Sequence, residues 1–248
     1  MFNCDGVYKF DATFNELLDA ETKNHVADVL KYVNSNYSEE DSAIGLAYET
    51  ISMSGVANHL LDHLIIVKFR QSDNPKDILA VAIAMAREGT YYRSQAISFF
   101  EKYFDNPISL PLMETGHRAG IDEYQSRALF SDWYLHSELS NLYEQEYEFY
   151  KAVEQLKLCI KFANGENVAD FIRIGDILIK SDLQTAKQYY DGLFKTEYYT
   201  MHQSSFDNAY RLIQEKIESG YKYKPRKNKK LPELNNMQLL SISAANCL

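Results

Sequence analysis

Apolar residues recur at three- and four-residue intervals along most of the chain, the spacing that lines one face of a helix. In "FDATFNELLDAETKNHVADVLKYVNSN", Phe14, Leu17, Leu18, Val26, Val29 and Val33 follow that rhythm, and Asp11 is placed to cap the start. Near the other end, "SSFDNAYRLIQEKIES" sets Phe206, Tyr210, Ile213 and Ile217 on one face, with Ser205 as the expected N-cap. Ten glycines and five prolines are too few for the frequent turns of an all-β chain, so long helices are expected.

Between these two segments the pattern repeats. "DSAIGLAYETISMSGVANHLLDHL" carries Ile44-Gly45 and Tyr48, then Ala57, Leu61 and Leu64. A second copy has Ile83-Ala84, followed by Ala96, Phe100 and Tyr103 within the aromatic-rich stretch "YYRSQAISFFEKYFDNP". "HSELSNLYEQEYEFYKAVEQLKLC" gives Leu139-Ser140 and Tyr143, then Ala152, Leu156 and Cys159. "FIRIGDILIKSDLQTAKQYYDGLF" gives Ile174-Gly175 and Leu178, then Ala186, Tyr190 and Leu193. The small residue of the first helix precedes the alanine of the second by 12 residues in three copies and by 11 in the fourth. A small residue on each helix lets two backbones approach, and bulky residues four and seven positions on fill the groove. On this reading Ala96, Phe100 and Tyr103 are repeat packing, flanked by Tyr92 and Phe99, rather than a ligand cage.

This plan resembles the tetratricopeptide repeat, a helix–turn–helix unit of about 34 residues. The resemblance covers roughly residues 38–200. It departs from the signature where the usual Trp and terminal Pro are mostly missing, and where Arg87 stands in place of an aromatic. It implies an all-α, right-handed solenoid of antiparallel helix pairs, with capping helices at each end. The expected organisation is a capping region at 1–37, four repeats over 38–200 with an insertion near 108–130, a capping helix at 201–221 and a basic tail at 222–248. Pro107 and Pro111 disrupt helix at the start of the insertion. A non-repetitive helical bundle is the alternative reading of the same spacing.

Such arrays generally bind extended or helical peptides along the inner face of each first helix. The register projects Ser42, Leu46 and Glu49 from the first copy, and Ile78, Val81 and Met85 from the second. The third copy offers Tyr134, Ser137 and Asn141, and the fourth Ile172 and Asp176. Leu46, Glu49, Ile78, Val81, Met85, Tyr134 and Asn141 are therefore the expected partner contacts. They suit an apolar segment with basic ends. The Lys/Arg/Asn set of carboxylate-gripping repeats is absent from these projected positions apart from Asn141. The apolar strip serves equally well as a packing surface for the N-terminal helix, the insertion or another subunit.

Charge changes the picture at the C-terminus. The net charge is −9, yet residues 222–248 hold six Lys/Arg and one Glu, leaving the preceding body near −14. That body repels phosphate backbones, which argues against nucleic acid as a partner. The tail reads either as a disordered extension or as an arm whose residues 231–248 dock on the solenoid groove. An oligomer fits the same surfaces.

The remaining chemistry is sparse. His59 and His63 lie four apart in "NHLLDH", a spacing that suits two metal ligands on one helical face. No glutamate follows the first histidine, and no third ligand is marked by spacing, so a metal-dependent enzyme is the last-ranked alternative. Ser54 reads as a repeat turn, and Cys159 as a core residue. Neither a phosphate-cradling glycine loop nor a nucleophile-elbow motif occurs. The function expected is a non-catalytic protein- or peptide-binding scaffold without a cofactor. A regulatory or accessory solenoid acting on a separate enzyme or regulator is the alternative. Cys4, Cys159 and Cys247 are three cysteines without paired spacing, pointing to a reducing cytoplasm. The start "MFNCDGVYKFD" lacks a signal-peptide pattern, and no run reaches the roughly 18–20 apolar residues of a membrane span.

Overall fold

A computed structural model describes residues 20–51, 56–108 and 130–224. The expectations placed on Asp11, Phe14, Leu17 and Leu18, on the turn at Ser54, on the insertion over 109–129 and on the tail from 225 fall outside these residues, as does the side chain of Ala57. All regular structure among the described residues is helical: eleven α-helices and one short 3-10 turn. No described helix is long and apolar enough to cross a membrane. The helices belong to two compact units, 20–108 and 130–224.

The first unit contains α1 (Ala20–Asn36), α2 (Ser42–Ile51), α3 (Val56–Phe69), α4 (Pro75–Arg87) and α5 (Arg93–Asp105). The start of α4 shows how the sequence directs a helix. The Asn74 side chain accepts from the Lys76 amide at 3.0 Å, Pro75 takes the first turn, and Asp77 faces the positive end of the helix dipole. On α1, Val26, Val29, Leu30 and Val33 form the buried stripe, and this helix packs on α2 and α3. From α2 to α5 each helix packs on the one before it, and α4 also packs on α2. As a result α2 is buried from Ser42 to Thr50, and α4 from Ile78 to Met85, without interruption. Ala80, Ala82 and Ala84 keep α4 slim enough to be enclosed in this way. On α5, Ala96, Phe100 and Tyr103 form the buried stripe, while Tyr91 remains exposed.

The second unit contains α6 (Asp132–Gln145), α7 (Phe149–Phe162), α8 (Val168–Ser181), α9 (Leu183–Leu193), the short α10 (Glu197–Met201) and α11 (Gln203–Glu218). Four of these helices begin on a side-chain cap. Ser131, Asn167, Asp182 and Thr196 accept from the amides of Tyr134, Ala169, Thr185 and Tyr199 at 3.2, 3.2, 2.8 and 3.4 Å. The α11 helix starts at Gln203, two residues ahead of the expected Ser205 cap, and buries Phe206 and Ile213 against the preceding helices.

In the second unit, two small residues lie where helices approach closely. The Ser140 hydroxyl donates to the Ala152 carbonyl at 2.9 Å, joining α6 to α7. Gly175 of α8 lies directly beneath the Tyr190 ring of α9, so that a Cβ there would meet the ring at 2.2 Å. In the first unit Gly45 is covered instead by Tyr37, from the turn before α2, whose ring would sit 2.6 Å from an added Cβ.

Candidate functional site

The expected partner-binding residues fall into two environments. In the first unit, Leu46 and Val81 are fully enclosed, Met85 is 2% exposed, Ile78 4% and Glu49 5%. The open groove expected at Leu46, Glu49, Ile78, Val81 and Met85 is therefore absent, and these side chains are core. They are covered from within their own unit, with α4 packed on α2, α3 and α5, whereas the packing alternative looked to the N-terminal helix, the insertion or another subunit. The physical reason is that α2 and α4 are apolar almost all round, and such helices are stable only when covered on every side. Glu49 is held by the Tyr37 hydroxyl, which donates to its carboxylate at 3.1 Å. Burial first, and then the neighbouring Glu49 charge, raise the Tyr37 phenol well above its ordinary value.

Arg87, the residue that replaces an aromatic, has its own task. Its Nε donates to Asp62 Oδ2 at 2.9 Å, and Nη2 pairs with Asp62 Oδ1 and reaches the Thr50 hydroxyl. Nη1 donates to the Ala47 carbonyl at 3.2 Å. One guanidinium thus ties α4 to both α2 and α3. Asp62 is 1% exposed, and burial pushes its carboxyl up to about 6 against the pull of Arg87.

In the second unit the expected residues are only partly covered. Tyr134 and Asn141 are half-buried, as is Ser137 between them, and Glu144 extends the same row on α6. Facing them on α8 are Arg173 and Lys180, with the exposed Asp176 between them in sequence. Arg173 donates to Asn141 and, at 3.4 Å, to Ser137, and lies 3.5 Å from Glu144; Lys180 pairs with the same glutamate. The result is a ladder of held polar groups along two helices, with cations and carboxylates in alternation. Ile172 is half-buried at its edge. Arg173 and Lys180 were legible in register, one turn on either side of Asp176, yet their pairing across to α6 has no sequence signal.

The two histidines of α3 differ in burial. His59 has a side chain that is 65% exposed, and its Nδ1 lies 2.9 Å from Glu88 Oε1. His63 is buried, and that burial holds its imidazole below the usual range. No group of three His, Cys, Asp or Glu side chains among the described residues is arranged to hold a metal. Cys159 is a buried free thiol whose Sγ donates to the Trp133 carbonyl at 3.4 Å. Burial, reinforced by Asp170, pushes that thiol up to about 12, so it carries little thiolate at neutral pH. Asp170 itself is buried and accepts from Trp133 Nε1 at 2.8 Å and from Asn167 at 3.1 Å, a further tie between α6 and α8. Compared with protein-family models, with curated proteins and with solved structures, the chain matches none.

Proposed function

We propose that this chain is a tetratricopeptide-like helical-repeat protein, a solenoid of antiparallel helix pairs, that binds a protein or peptide partner without transforming it. The binding surface is the polar face of α6 and α8. The observation that carries this reading is the partly exposed ladder of Ser137, Asn141 and Glu144 against Arg173 and Lys180. Groups already held in place lose little side-chain entropy when a ligand replaces their mutual bonds, which favours recognition. Support for the repeat comes from two successive helix pairs that approach closely at a small residue, Ser140 with Ala152 and Gly175 with Tyr190.

The face is of mixed charge, so its partner is a polar segment offering carboxylates or carbonyls to Arg173 and Lys180 and donors to Glu144 and Asp176. This replaces the apolar ligand expected from Ile78, Val81 and Met85. The buried free Cys159 suits a reducing, cytoplasmic setting. The test is selection of binders from a displayed random-peptide library on the wild-type chain, followed by titration against Arg173→Glu and Lys180→Glu. Selected peptides are expected to bind each variant at least roughly tenfold more weakly, because charge reversal at a central arginine or lysine loses a directed pair and adds repulsion. Binders whose affinity is the same for wild type and both variants would place the surface elsewhere.

A further inference from the structure

The turn between α6 and α7 contains an oddity of backbone and side chain together. Tyr147 has φ +64°, in the left-handed region. Its amide donates to the Glu144 carbonyl at 3.1 Å, and that of Glu148 donates to Tyr143 at 2.9 Å. This is the closure of a helix end whose left-handed residue is usually glycine. Elsewhere among the described residues the left-handed positions are Gly89, Gly165 and Gly220 at φ +68°, +75° and +64° and the short polar Asn164 at +51°. A bulky side chain in this conformation costs about 1–2 kcal/mol relative to an ordinary backbone. The position of the ring accounts for a tyrosine being there.

Tyr147 packs edge-on to Phe149 with centroids 6.1 Å apart. A third ring, Tyr223, closes the cluster at 6.5 Å from Tyr147 and 5.8 Å from Phe149. It arrives from beyond α11. There the Gly220 amide donates to Ile217 at 3.0 Å, that of Tyr221 to Lys216 at 2.9 Å, and the Lys216 ammonium lies 5.5 Å from the Tyr221 ring. The chain is thereby led from the end of the last helix back to the first turn of the unit. The sequences of the two segments also carry opposite charge. Glu146 and Glu148 flank Tyr147, at the negative end of the α6 dipole. Lys222 and Lys224 flank Tyr223, and four more basic residues follow within the next six. Lys151, paired with Glu148 at 2.6 Å, only partly offsets the acidic side.

We infer that the α6–α7 turn is a recognition slot for a lysine–aromatic–lysine segment, and that Lys222–Tyr223–Lys224 is its resident ligand, masking the slot in cis. A partner carrying the same chemistry gains access by displacing Tyr223. The inference goes beyond the platform reading, because the slot requires neither Arg173 nor Lys180.

The test uses the full chain and a fluorescein-labelled peptide, SGYKYKPRKNKK, followed by anisotropy. A tethered segment competes at an effective concentration on the order of millimolar, so Tyr223→Ala is expected to bind the peptide about tenfold more tightly than wild type. Raising salt weakens that binding. Tyr147→Gly suits the left-handed backbone, so it keeps the fold by circular dichroism while removing one wall. Added to Tyr223→Ala it abolishes peptide binding, and alone it speeds tryptic cleavage after Lys222. Loss of peptide binding on Tyr147→Gly, a residue outside the α6–α8 platform face, separates this slot from that face. Equal affinity of wild type and Tyr223→Ala, no binding to either, or binding that survives Tyr147→Gly would each overturn the inference. So would a concentration-dependent dimer that Tyr223→Ala dissolves, since the slot would then act between copies.

Discussion

Replacing Arg87 with methionine is expected to destabilise the chain by about 3–5 kcal/mol at pH 7, read by chemical denaturation, because it strands a buried carboxylate. Asp62 is 1% exposed, and its two oxygens are held by Nε and Nη2 of the guanidinium. Methionine preserves much of the apolar stem and so isolates the lost charge from lost packing. The Thr50 hydroxyl and the Ala47 carbonyl lose a donor at the same time, which removes the polar tie from α4 to α2 as well as the one to α3. Asp62→Leu placed on top of Arg87→Met is expected to recover most of the loss, since an apolar pair of similar volume leaves no buried charge unpaired. A single-variant loss of under about 1 kcal/mol would mean that the pair behaves like a surface salt bridge.

The pH dependence of that loss has a definite sign. Burial raises Asp62 from 3.8 to about 6, so the folded chain holds this proton more tightly than the unfolded chain does. The contribution of this group to stability is therefore largest below about pH 4 and declines as pH rises through 6. Without Arg87 the lowering influence disappears and the folded value climbs further. The penalty of Arg87→Met accordingly shrinks toward pH 5, where the carboxyl is protonated with or without its partner, and grows toward pH 8. A penalty that is flat between those limits would assign the effect to packing rather than to charge.

The parts of the structure that were legible in the sequence are those set by local spacing. Ala96, Phe100 and Tyr103, then Ala152, Leu156 and Cys159, are buried because a stripe of period 3.6 can be read residue by residue. Caps at Asn74, Ser131, Asn167 and Asp182 are equally local, although the cap expected at Ser205 lies inside α11 instead. The failure at Ile78, Val81 and Met85 has a different origin. A strip of apolar residues looks the same whether its cover is a ligand or the protein itself, and only the tertiary arrangement decides. A cue was present nonetheless: no polar residue interrupts α4 between Ile78 and Ala86, whereas a helix lining an open groove would show a wet side. Arg87 meeting Asp62 across 25 residues, and Tyr223 meeting Tyr147, depend on chain reversals that no periodicity encodes.

The second large effect is expected from the smallest change, Gly175→Ala. In an open helix interior, alanine in place of glycine stabilises by about 1 kcal/mol. Gly192 on α9, with nothing within 4 Å of its Cβ position, should show that gain and serves as the control. At Gly175 the new methyl would lie 2.2 Å from Cε2 and 2.5 Å from the hydroxyl of Tyr190. That ring cannot swing aside. It is fully buried, its hydroxyl donates to the Ile172 carbonyl at 3.3 Å, and the rings of Tyr189, Phe194 and Tyr210 stand around it at 5.4, 6.3 and 6.1 Å. The helices must part instead, and overpacking of this kind costs about 1–3 kcal/mol or more, enough to reverse the propensity gain. Gly175→Ala combined with Tyr190→Leu should lose less than the two single changes added together, with a coupling of about 0.5–3 kcal/mol. Full additivity would mean that Gly175 and Tyr190 do not hold α8 and α9 together. The small-residue rule behind the repeat reading would then fail in the copy where the contact is closest.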